Sequence, residues 1–291
     1  MNNTSINPSD PSYRKSTYAD VAARVQDCKA YLTDQRIVVH RDSALNMLFR
    51  DAESLARDWA NGVAEGDIRR LINTAHANRI AEAILLLRDE AEIQEVLRRI
   101  ARNNVDLSKR PPSQGKDALW ELNLLALLRR LGVQAKLLDP PDIVANFEFG
   151  KYPIACKKIY SERGVEAQMR KGAKQLAPYQ GGGLVALNID DLIPEDVLLR
   201  SESAATAGAF LDRLNMSFIE RHQIVLQRFV LEGKCDGVLV STTALSDITN
   251  GDRTRFNTFT QSTLWTVNEA DPRAIARINA VREVIAVHPG L

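Results

Sequence analysis

The chain has 291 residues, with 38 Lys and Arg against 37 Asp and Glu, for a formal charge of +1. That length predicts two moderate domains, and so neutral a total excludes a global field that gathers polyanions, so any nucleic-acid signal must be local. Three widely spaced cysteines, Cys28, Cys156 and Cys235, exclude a disulfide framework and a zinc site and predict a reducing, cytoplasmic setting, while no apolar run reaches the roughly 18 residues of a membrane span.

Residues 1–12 are polar and contain proline, and read as a flexible tail. Residues 13–105 read as a helical domain. Tyr18, Val21, Val25 and Leu32 recur at helical spacing, as do Leu45, Leu48, Phe49, Ala52 and Leu55, and then Ile80, Ile84, Leu87 and Ile93, Val96, Leu97, Ile100. Asp42-Ser43 precedes the second of these runs as a cap and Asn61-Gly62 follows it as a stop. The aperiodic stretch RNNVDLSKRPPSQGK, 102–116, marks the passage to a second domain, 106–291.

The pattern changes there. Residues 117–131 read as a helix, VQAKLLD, IVANFEF and PIACKKIYS as three short strands, 164–176 as a helix and GGLVALNIDDL as a strand. Beyond them lie a long helix over 202–232, strands CDGVLVSTTAL and FTQSTLWTVN separated by a polar loop at 246–258, and a closing helix over 273–286. GGG at 181–183 precedes a strand and so reads as a turn, not as a phosphate loop.

Within this order Glu121 lies on the first helix, Asp142 follows Pro141 at the start of the second strand, Lys157 lies on the third strand and Gln175 on the next helix. These residues and their order resemble the core of the PD-(D/E)xK nuclease superfamily, over about a quarter of the chain. One position departs from the family pattern: Ala155 stands two residues before Lys157, where the family has an acid. The resemblance implies an α/β fold, with a helical N-terminal domain followed by a restriction-endonuclease-like domain around a mixed central sheet. It also implies phosphodiester hydrolysis on DNA, with Asp142 and Glu121 holding magnesium or manganese, Lys157 assisting the attacking water and Gln175 orienting the site.

The chemistry behind such a site is general. Phosphodiester hydrolysis needs a hard cation to activate water and offset developing charge, and such cations select carboxylate oxygens. Strand alternation puts Ala155 and Lys157 on one face and Cys156 on the other, so Ala155→Glu is expected to return an oxygen ligand and raise cleavage. Between Lys151 and Gln180 seven basic residues face two acidic ones, a local excess of +5. Lys158, Gln168, Lys171 and Lys174 are the candidate phosphate contacts, with Arg253 and Arg255 as further cations. Three readings follow: a metal-dependent nuclease, a catalytically silent protein of the same fold that binds nucleic acid or a protein partner (a second copy included), or a helical interaction module on a scaffold.

Overall fold

The structure is a computed structural model that describes residues 4–6, 17–63, 67–179, 182–194, 198–250 and 253–286. It divides into two compact units, one of residues 13–126 and one of residues 1–12 with 127–291.

The first unit is helical. Helix α1 (Tyr18–Asp34) starts at a capping box in which the Thr17 hydroxyl accepts from the Asp20 amide and the Asp20 carboxylate accepts from the Thr17 amide. Ser43 caps α2 (Ala44–Ala60) and Asp67 caps α3 (Ile68–Leu86), and α4 (Ile93–Arg102) follows. Most of the periodic residues of the sequence are buried, among them Val25 and Leu32 from α1, Leu45, Leu48, Phe49 and Ala52 from α2, Ile80 and Ile84 from α3, Leu97 and Ile100 from α4, with Cys28 beside them, while Tyr18 is half-buried. Helix α5 (Gln114–Arg130) begins here and crosses into the second unit between Ala126 and Leu127. The boundary expected near residue 105 therefore falls later, inside a helix, because the first turns of α5 pack with the helical unit.

His76 of α3 is buried in this unit, its Nδ1 without a hydrogen-bond partner among the described residues. Burial, then the positive charge of Arg79, pull its pKa down to about 4, against the opposing pull of Asp106. The unfolded chain therefore binds the proton first as pH falls, so stability is full above about pH 6.5 and declines as pH falls from there toward the folded value, by about 3 kcal/mol. Replacing His76 with Gln should remove that share of the slope. Parallel denaturation curves for the two proteins between pH 7 and pH 4.5 would refute the assignment.

The second unit is built on one mixed sheet. Its strands are β1 (Thr4–Ile6), β2 (Gln134–Leu137), β3 (Ile143–Phe147), β4 (Gly150–Lys158), β5 (Leu184–Asn188), β6 (Leu198–Ser201), β7 (Gly237–Asn250) and β8 (Arg253–Trp265). The order across it is β1-β8-β7-β5-β4-β3-β2, with β6 on the far half of β7. β4, β5 and the first half of β7 run parallel; β2, β3 and β4 form an antiparallel meander, and β7, β8 and β1 pair antiparallel.

Helices α6 (Val165–Leu176) and α7 (Ala204–Leu231) pack on one face, over a core that includes Ala155, Met169, Ala173, Val185, Leu187, Phe218, Val238 and Val240. The last helix, α8 (Pro272–Ala286), is fastened to the start of β7 by Arg277, whose guanidinium donates twice to the buried Asp236 carboxylate, at 2.8 and 2.7 Å.

Two expectations change. Thr4–Ile6, placed in a tail, pairs with β8 as an edge strand. The polar stretch 246–258, placed in a loop, continues the β7–β8 ladder as far as Asn250↔Arg253; the side chains of Arg253 and Arg255 lie outside the described residues. The helix, three strands, helix and strand expected between residues 115 and 190 are α5, β2, β3, β4, α6 and β5.

Candidate functional site

The β3–β4 register pairs Ile143 with Ile154, so Asp142, one residue earlier, stands opposite Ala155. Its carboxylate is fully engaged. Oδ2 accepts from the Cys156 amide at 2.6 Å and from Lys157 Nζ at 2.9 Å, and Oδ1 accepts from Gln175 Nε2 at 3.0 Å. Lys157 Nζ also donates to the Cys156 carbonyl at 2.7 Å. The Lys157 and Asp142 side chains are only 12% and 10% exposed, which makes this a largely desolvated charge pair. Three residues from distant parts of the sequence, Asp142, Lys157 and Gln175, are thus joined in one hydrogen-bonded cluster.

Ala155 shares the face of Lys157 but is fully buried. A Cβ placed on Gly172 of α6 would come within 3.7 Å of the Ala155 Cβ and within 3.0 Å of Val185 Cγ1. The helix backbone therefore lies directly on the sheet here, and it needs small residues on both sides. Three positions on, the same helix face delivers Gln175 to Asp142. The position where an acid was expected is thus occupied by packing.

Glu121 belongs to the helical unit, where both its carboxylate oxygens accept from the Arg99 guanidinium, Oε1 from Nη1 at 3.0 Å and Oε2 from Nη2. Its side chain is 10% exposed. A bidentate guanidinium partner fills the lone pairs that a metal would use. The fit of a divalent ion can be judged from these residues: Asp142 is engaged by three donors, Glu121 by Arg99, and Ala155 offers no oxygen. Among the described residues no group of three or more His, Cys, Asp and Glu side chains could hold a metal ion. The residues present do not fit the two-carboxylate metal site that the sequence implied.

Lys158 requires a correction. It was expected at a phosphate, but it points to the opposite face of the sheet from Lys157, is 4% exposed and pairs with Asp191 at 2.7 Å. Asn188, its register partner on β5, accepts a further bond from the same ammonium. Lys158 is a core residue.

The remaining candidates lie on α6. Lys171 and Lys174 are exposed, one turn apart, with Gln168 half-buried one turn before them. The two acids of this segment are already neutralised. Burial pushes the Glu162 carboxyl up, but the hydrogen bonds from Arg221 and His222 outweigh it and hold the group below its usual range. Glu166 is likewise held low, chiefly by the Arg228 hydrogen bond and charge and then by Arg170. The two acids of this segment are thus engaged by other residues, while Lys171 and Lys174 are exposed, Lys171 one turn before Gln175 on the same stripe.

Parity along β4 already separated Lys158 from Lys157 in the sequence. Nothing in the sequence marked the Cys156 amide and carbonyl, which make two of the cluster's four hydrogen bonds, or the pairing of Glu121 with Arg99. The second unit is an α/β domain with a mixed sheet and a buried acid–ammonium–amide cluster beneath a basic helix. No known protein family, no curated protein and no solved structure matches the chain. Among the described residues no helix is long and apolar enough to cross a membrane.

Proposed function

We propose that this chain is a catalytically silent relative of the PD-(D/E)xK nucleases that binds nucleic acid, DNA foremost, in the cytoplasm. The observation that carries the reading is α6 itself: it bonds Gln175 to Asp142 and exposes Lys171, one turn earlier on the same stripe, with Lys174 beside it and the neighbouring acids paired to other residues. The order of α5, β2, β3, β4, α6 and β5, with Asp142, Lys157 and Gln175 in one cluster, supports the kinship. The engaged Asp142 carboxylate, the Arg99-bound Glu121 and the buried Ala155 support silence, because they leave no pair of free carboxylates for the cation that hydrolysis requires. Three buried free cysteines accord with a reducing compartment.

Two exposed lysines contact phosphate through counter-ion release, so binding should be sequence-independent and weaken with salt. Lys171→Glu with Lys174→Glu is expected to reduce affinity for a labelled duplex at least about tenfold and to flatten the salt dependence by about two ions. Fluorescence anisotropy between roughly 50 and 200 mM salt reads both. Equal affinities for the two proteins would remove the nucleic-acid reading. The wild type should also leave a plasmid intact in magnesium; digestion that disappears with Glu121→Gln would restore the hydrolytic reading.

A further inference from the structure

Two oxygens of the cluster converge on one point, and the chain itself fills it. Lys157 Nζ lies 2.9 Å from Asp142 Oδ2 and 2.7 Å from the Cys156 carbonyl oxygen. One anionic and one neutral oxygen are the donors that hard divalent cations choose. Gln175, whose amide nitrogen bonds the same carboxylate, has its Oε1 buried without a hydrogen-bond partner among the described residues. Its orientation is fixed by chemistry, because only the amide nitrogen can donate to Asp142 Oδ1, at 3.0 Å. A buried acceptor with no donor is a defect that a cation or a bound water would satisfy.

We propose that the Lys157 ammonium is the resident cation of this site. The wild-type chain therefore takes no divalent ion there, and shortening Lys157 turns Asp142 and the Cys156 carbonyl into a divalent-cation site completed by water. This deepens the silent reading given above and rests on it: the lysine that would assist an attacking water is held instead as a counter-ion. An incoming ion would have to break both lysine hydrogen bonds and lie against a largely buried positive charge. The two oxygens are in place, and the ammonium occupies the point on which they converge.

The test is a manganese titration of the full chain, with the unbound ion followed by electron paramagnetic resonance and no nucleic acid present. Lys157→Ala should bind one ion per chain with roughly millimolar affinity or better, about tenfold or more tighter than wild type. Adding Asp142→Asn should abolish that binding. A folded Lys157→Ala that binds no ion overturns the proposal, and so does a wild type whose bound ion is lost with Asp142→Asn. Removing the lysine leaves the Asp142 carboxylate unpaired, so Lys157→Ser is carried in parallel; refolding of either variant by manganese but not by sodium at equal ionic strength counts as binding.

Should neither variant fold under any condition, the wild type decides through its Cys156 amide, which donates to Asp142 Oδ2. An amide resonance unbroadened by manganese upholds the resident ammonium, and a broadened one overturns it. Because this titration contains no DNA, its failure is distinct from failure of the charge-reversal experiment on α6.

Discussion

Asp191→Ala is expected to lower the stability of the sheet unit by about 3–5 kcal/mol, because it leaves the Lys158 ammonium buried without its counter-ion. Both side chains of this pair are 2% exposed and the charges lie 2.7 Å apart, so water cannot replace the lost carboxylate. Asn188 remains as an acceptor, but a neutral amide offsets only part of a full charge. The double variant Lys158→Met with Asp191→Leu should be much milder, since it removes both charges at once and leaves Asn188 short of a donor, at about 1–3 kcal/mol. Thermal melts of Lys158→Met, Asp191→Leu and the double variant form a cycle, and the Asp191→Ala midpoint should fall by roughly 6–20 °C. Additive changes, or a near-native midpoint for Asp191→Ala, would show that the pair is not the interior anchor described here.

Ala155→Glu is the second large effect, and here the structure reverses what the sequence suggested. A carboxylate at a fully buried position beneath Gly172 must displace α6 from the sheet or share the space of Asp142. Overpacking and an added buried charge together should cost about 3 kcal/mol or more, a midpoint drop of roughly 6–12 °C, without cleavage of DNA in magnesium. A variant that melts near the wild type, is stabilised by magnesium and nicks plasmid DNA would show that the site still accepts its missing ligand.

These two positions illustrate how much was legible beforehand. Element order in the second unit followed from period-2 runs broken by Pro and Gly, and the helical unit from 3.6-residue spacing, because both signals are local. The convergence of Asp142, Lys157 and Gln175 was legible as well, since strand parity and helix phase fix the direction of each side chain. Partnerships across long separations were not: Glu121 with Arg99, Lys158 with Asp191, Ala155 under Gly172. Charged residues carry no periodic mark of their partner, so Lys158 was counted with the surface cations although its parity already turned it away. β1 and the outer halves of β7 and β8 escaped for another reason. Their pairing rests on backbone hydrogen bonds, and Thr, Ser and Asn side chains at the end of a ladder look the same as those of a loop.

Strand β1 has a consequence for the order of assembly. Thr4, Ser5 and Ile6 pair with Leu264, Thr263 and Ser262 of β8, and the helical unit is inserted in sequence between β1 and β2, the two edge strands at opposite ends of the sheet order. The meander of β2, β3 and β4 closes over short distances and at little entropic cost, whereas the β1–β8 ladder closes a loop of nearly the entire chain. On the ribosome β1 is made long before its partner β8. The edge of the sheet beside β8 is thus sealed only once β8 itself has emerged, like a seam sewn from its far end.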